Sequence, residues 1–336
     1  VVKSWMALEI ARPVSQRGDT ALLAKLLGRV VDTESRGAAW KLMPEARLLA
    51  GDTSGATAAY LAAAEGLGGR ARAEAAVEAG RLMLAGGDEA LARSLLFGAL
   101  EDAPLRSRGR AAGALLDLGG LDLPTTLSLA AILDQAGDGR RALRAYDQAH
   151  AMAERQGVVS SEATRLARAR LMATVRSRQG AALEEFRAIH ATTRDETIGA
   201  RNLQVWMALR RRQGRTADVN TLRRWLLEEY PGSAQSAEIV WRRGSSAESR
   251  GDLTEALAHY EEVAREAWSH SRAGQARMRT GQILLGRGRL AEAAQVYEDY
   301  LTDFPEGRRW EEASYLSLIH ISEPTRPAPL SRMPSS

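Results

Sequence analysis

The chain has no cysteine. Disulfides, thiol catalysis and zinc–thiolate sites are therefore excluded. Aromatic residues make up only 5% of it, with three phenylalanines, too few large side chains to fill a sandwich or barrel core well. Lysine is nearly absent: Lys3, Lys25 and Lys41 are the only ones among 46 basic residues. The 42 acidic residues leave a net charge of +4, and acids interleave with bases throughout. Nucleic acid, which wants a sustained basic stripe with stacking aromatics, is not an expected partner. No apolar run reaches the roughly 18 residues of a membrane-spanning helix.

What remains is abundant alanine, leucine and arginine. Apolar residues reach 45% of the 336 residues, most of them Ala and Leu, which form helices well and let them approach closely. A chain of this length is either two or three globular domains or one long repeat array.

The spacing of small residues favours the array. Gly51-Asp52 precedes Ala56, Tyr60 and Ala63; Gly137-Asp138 precedes Ala142, Tyr146 and Ala149. Gly251-Asp252 precedes Ala256, Tyr260 and Val263, and Gly288 precedes Ala293, Tyr297 and Tyr300. The offsets are the same each time, and steps of four and three residues place the trio on one helix face. Each glycine is expected to end the preceding helix in a left-handed conformation. Gly80, Gly244 and Gly281 lie twelve residues before Ala92, Ala256 and Ala293, so each pair is expected to face across a helical hairpin. Pro104, Pro231 and Pro305 lie seventeen residues after Gly87, Gly214 and Gly288, where they stop the second helix. This grammar resembles the tetratricopeptide repeat family. The fold expected is all-α, a tetratricopeptide-like solenoid of helical hairpins. Residues 1–200 read as an irregular superhelix, with Gly119-Gly120, Pro124 and the stretch before Gly180 breaking the period. Residues 201–315 read as regular repeats.

Residues 316–336 do not fit. They hold Pro324, Pro327, Pro329 and Pro334, and the stretch from Leu318 to Arg326 resembles the translation of a sequencing adapter. A non-native, unpacked tail is expected there. At the other end, Val1 stands where a Met would begin a gene, so any leader is expected upstream.

Candidate chemistry is sparse. Glu228-Glu229, Glu261-Glu262 and Glu311-Glu312 are adjacent on helices and diverge by about 100°, whereas general acid/base pairs must converge. His150, His190, His259, His270 and His320 form no metal-ligand spacing. Gly66 to Gly69 and Gly286-Arg287-Gly288 lack the Lys-Ser/Thr of a phosphate loop and read as inter-helix turns. No catalytic, cofactor-binding or metal-binding residue is expected, and no cofactor. Arg210-Arg211-Arg212 and Arg242-Arg243 fall on expected first helices, which line binding faces in such arrays; they suit an anionic ligand such as a peptide carboxylate, or a plain solvated role. Trp206, Trp225, Trp241, Trp268 and Trp310 are expected in packing between repeats.

A second resemblance rests on Ser236 to Gly244, Gly251 to Ala256 and Phe304 to Tyr315. These segments look like the superhelical region of soluble lytic murein transglycosylases. The resemblance implies a non-catalytic scaffold preceding a lysozyme-like domain, a periplasmic or envelope location, and a protein or peptide partner, with peptidoglycan as a further candidate. Nothing in the chain matches that catalytic domain. The alternative is a stand-alone tetratricopeptide adaptor, in the envelope or the cytoplasm.

Overall fold

Six of the turn glycines named above, Gly51, Gly87, Gly137, Gly214, Gly251 and Gly288, have φ between 70° and 90°. That left-handed conformation costs glycine little and other residues much, and each of these glycines closes a helix, as expected. In the computed structural model, which describes residues 2–30, 39–266, 271–307 and 309–321, the described residues form eighteen α-helices and no strand.

The chain separates into two compact units, one ending at Arg176 and the next starting at Ser177. The expected boundary at residue 200 marked where the repeats become regular, which is a different criterion. The first unit holds α1 (Val2–Ser15), α2 (Thr20–Leu27), α3 (Leu42–Leu49), α4 (Thr53–Gly66), α5 (Gly69–Gly86), α6 (Glu89–Gly98), α7 (Leu105–Leu118), α8 (Leu123–Gln135), α9 (Gly139–Gln156) and α10 (Glu162–Met172). The second holds α11 (Gln179–Thr192), α12 (Glu196–Arg212), α13 (Thr216–Glu229), α14 (Ala234–Ser249), α15 (Leu253–Glu266), α16 (Ser271–Gly286), α17 (Leu290–Asp303) and α18 (Trp310–Ile321). Within each unit, helices that follow one another in sequence pack together; α14 also packs on α16, and α12 on α14, linking alternate helices of successive hairpins.

The Asp after a turn glycine has a second task. Asp52, Asp88, Asp138 and Asp252 each accept a hydrogen bond from the backbone N–H three residues on. They thereby cap the helix that follows and satisfy one of its unpaired N–H groups.

The trios are buried as the period requires. Ala256, Tyr260 and Val263, and Ala293, Tyr297 and Tyr300, are all in the core of the second unit. Ala63 is only half-buried.

The hairpin contact differs from the expectation. A methyl group at Gly244 would lie 2.8 Å from Tyr260 Cε1, and one at Gly281 would lie 2.6 Å from Tyr297 Cε1. At Gly80 it would lie 2.9 Å from Leu96 Cγ. Each glycine thus makes room for the large side chain sixteen residues on, not chiefly for the alanine twelve residues on. The alanines are buried one helical turn earlier, where their small size lets the ring reach across.

Irregular connections fall where glycine and proline interrupt the period. Gly119 and Gly120 both have positive φ, and α8 starts with Pro124 in its first turn. Before Gly180 the link is a short 3-10 turn, Arg176–Arg178. At the C-terminal end α18 continues past residue 315 to Ile321, and Leu316 packs on the core with Ser317 buried. The rest of the expected tail, residues 322–336, lies outside the described residues.

Candidate ligand surface

Charged side chains on the first helices of successive hairpins meet one another. Glu238 on α14 accepts from Arg242 one turn on, at 2.8 Å, and from Arg272 on α16, at 2.9 Å. Burial pushes the Glu238 carboxyl up, but these two hydrogen bonds and charges outweigh it and hold the group below the usual glutamate value. Glu248, at the far end of α14, accepts from Arg279 on α16 and from the Tyr260 hydroxyl. Burial, with Glu248 beside it, pushes Tyr260 up to about 12. In the first unit Glu74 on α5 accepts from Lys41 and Arg70, and Glu78 pairs with Arg81 and with Arg110 on α7. The surface is a ladder of repeat-to-repeat ion pairs, with its charge largely spent internally.

The arginines singled out from sequence divide. Arg210, in the last turn of α12, lies 3.1 Å from Asp218; Arg211 and Arg212 follow it, exposed. Arg242 belongs to the Glu238 ladder, whereas Arg243 beside it is exposed and forms no ion pair among the described residues. Of the paired carboxylates, Glu229 lies 3.7 Å from His190, Glu262 lies 3.5 Å from His259 and Glu312 lies 3.8 Å from Arg309. In each pair one carboxylate thus has a partner of its own, and no ion pair among the described residues draws its neighbour to the same group. His150 lies against Glu154; His270 and the side chain of His320 are outside the described residues. Among the described residues no cluster of His, Asp and Glu suits a metal ion, and no helix is long and apolar enough to cross a membrane.

One buried polar node was not legible in the sequence. His190 on α11 stacks on Trp225 of α13, with ring centroids 5.0 Å apart, and meets Trp206 of α12 edge-on at 6.4 Å. Asn202, one turn before Trp206 and fully buried, donates to the Phe186 carbonyl on α11 at 2.9 Å. The node ties three helices together, so Trp206 and Trp225 serve packing. Trp241 likewise packs on Tyr260 and carries the Arg272 guanidinium 5.0 Å above its ring. Trp310 is exposed, and Trp268 is outside the described residues.

Recesses open between the helices. In the first unit, one of about 360 Å³ is lined by Arg81, Glu89, Arg110, Asp117 and Arg141. Gly113 makes room there: a methyl group on it would lie 3.1 Å from the Arg141 guanidinium. In the second unit, a recess of about 410 Å³ lies between α13 and α14, lined by Asn220, Arg223, Arg224, Leu227, Glu228 and Arg243. Arg223 and Arg224 drew no attention in the sequence, although Asn220, Arg223, Arg224 and Leu227 follow the steps of one helix face.

In sequence, the model of the tetratricopeptide repeat family matches residues 209–271 and 242–308. No curated protein matches the chain. Among solved structures, a tetratricopeptide repeat protein from Parabacteroides merdae is 14% identical, with a TM-score of 0.32 over 85% of this chain and 99% of that one. The quorum sensor NprR from B. thuringiensis is 13% identical, with a TM-score of 0.34 over 94% and 79%. The TPR2AB domain of yeast Sti1, in a pHSP90 complex, is 13% identical, with a TM-score of 0.26 over 86% and 100%. Scores this low say nothing of what the chain does. The sequence match falls on the helices α12 to α17, whose hairpins and turn glycines are described above. Residues 209–308 thus match the tetratricopeptide repeat family in sequence, and the described residues around them form an all-helical, tetratricopeptide-like array of hairpins.

Proposed function

We infer that this chain is a non-catalytic helical scaffold that binds a protein or peptide partner. The observation that carries the reading is the disposition of its carboxylates. The glutamates of the first helices are engaged in pairs between repeats, and the adjacent pairs diverge. Acid–base chemistry on a substrate needs a carboxyl group held in a cleft with its pKa raised. The glutamates with a resolved shift, Glu74 and Glu238, are instead lowered, because the hydrogen bonds of neighbouring cations outweigh burial. Stacked hairpins without an active site are a common binding architecture, since each added repeat extends the face available to a partner.

The finer reading makes the chain the superhelical part of a peptidoglycan lytic transglycosylase, working in the periplasm or envelope. It rests on the residues quoted above from Ser236 to Tyr315. A stand-alone adaptor accommodates the same hairpins. The uninterrupted gene separates the two: a lysozyme-like domain downstream supports the first, and a stop codon soon after the codon for Tyr315 supports the second. Co-sedimentation of the purified chain with peptidoglycan sacculi is a protein-level test. Retention on sacculi favours the transglycosylase scaffold, and none favours the adaptor.

A further inference from the structure

We propose that the recess between α13 and α14 binds a compact oxyanion carrying two or more negative charges, a phosphate ester or a dicarboxylate. Asn220, Arg223, Arg224, Leu227 and Glu228 sit at steps of three, one, three and one along α13, a single stripe, and Arg243 stands across from them on α14.

Arginines elsewhere on these helices are paired with carboxylates. In the first unit Arg81 and Arg110 pair with Glu78, and Arg141 and Arg144 reach Asp117. In the second unit Arg210 reaches Asp218, Arg242 and Arg272 share Glu238, Arg277 reaches Asp303 and Arg279 reaches Glu248. Arg224 and Arg243 have no such carboxylate among the described residues. Arg223 contacts only the neutral Asn220 side chain, at 3.2 Å. Glu228 shares the recess without pairing with any of the three.

Three guanidinium groups against one carboxylate leave the lining with two uncompensated positive charges. Charges of one sign gathered in a concavity raise the local potential and draw in counter-ions. A dianion neutralises this excess and a monoanion does not. The planar guanidinium fork matches two oxygens of a phosphate or carboxylate at once, and Asn220 adds an amide donor. Leu227 offers an apolar surface to the carbon skeleton that bears the charges. The recess, of about 410 Å³, is open to solvent, so an anion is held at its surface by charge and hydrogen bonds rather than enclosed. This site is independent of whether the repeats also hold a protein partner.

The test is calorimetric titration of the full chain with pyrophosphate and, separately, with glutarate, using acetate as the monoanion. At least one of these two multiply charged anions should bind saturably at one site, more tightly than acetate. Saturation by pyrophosphate alone identifies a phosphate ligand, and saturation by glutarate alone a carboxylate one. Arg224→Gln and Arg243→Gln should each weaken binding roughly tenfold or more, the effect of losing a charged hydrogen bond. Arg242→Gln, one residue away but engaged with Glu238, should change it less than about twofold. Arg243→Lys keeps the charge and loses the fork, so it should fall between wild type and Arg243→Gln. No saturable binding by either pyrophosphate or glutarate, equal binding of acetate, or equal losses in the Arg242, Arg224 and Arg243 variants would overturn the proposal.

Discussion

Gly281 on α16 lies directly against the ring of Tyr297 on α17, so that a methyl group in place of its hydrogen would come 2.6 Å from Cε1 and Cζ. Neither atom can retreat easily, because Tyr297 is fully buried. Gly281→Ala should therefore cost roughly 1–3 kcal/mol by overpacking. Gly286, at the end of the same helix, is exposed, and an added methyl group would meet nothing within 4 Å. Gly286→Ala should be neutral or stabilise by up to about 1 kcal/mol, through helix propensity alone. Urea denaturation of the two variants checks this, and equal effects would show that the hairpin contact is misplaced.

The alanine one turn before that ring tests the same packing from the other side. Ala293 has no exposed surface, so Ala293→Leu should cost roughly 1–3 kcal/mol. A measured loss of a few tenths would mean the repeat phase is wrong.

Two tyrosines at equivalent places should respond oppositely to losing their hydroxyl. Tyr260 donates to Glu248 at 2.9 Å, whereas the buried Tyr297 hydroxyl has no partner among the described residues. Tyr260→Phe should cost about 1 kcal/mol, and Tyr297→Phe should be neutral or slightly stabilising, because it removes an unsatisfied buried group. Thermal melts of the two variants give the sign directly.

Much of this packing was legible in the sequence, and its limits have physical causes. Turn glycines are readable because a left-handed backbone selects for them, and the Ala-Tyr-Ala/Val trios because burial of one face imposes a period. Which residue Gly281 accommodates was not readable. Spacing fixes the face on which a side chain lies but not how far a tyrosine ring reaches across to the next helix. The same holds for the ligand surface. Arg242 and Arg243 are alike in sequence, yet one is neutralised by Glu238 and the other lines an open recess, because adjacent positions on a helix diverge by about 100°. The His190–Trp206–Trp225 node joins three helices and leaves no local motif.

Acid should loosen the ladder between repeats. Burial raises the Glu238 pKa, but hydrogen bonds from Arg242 and Arg272 prevail and bring it below its ordinary value of 4.5. A carboxylate with a lowered pKa in the folded state adds stability that is fully present above 4.5 and is lost as pH falls through the folded value. Denaturation midpoints should therefore drop as pH falls from about 5 towards 3. Glu238→Gln should flatten that drop, and an unchanged slope would mean that the Glu238 contacts do not link α14 to α16 in solution.

The scaffold reading is tested most directly by incubating the purified full chain with peptidoglycan and measuring the soluble muropeptides released. On the proposed scaffold reading, no release above a buffer control is expected. Turnover that persists in the purified chain, and that disappears when one particular glutamate is replaced by glutamine, would contradict the account.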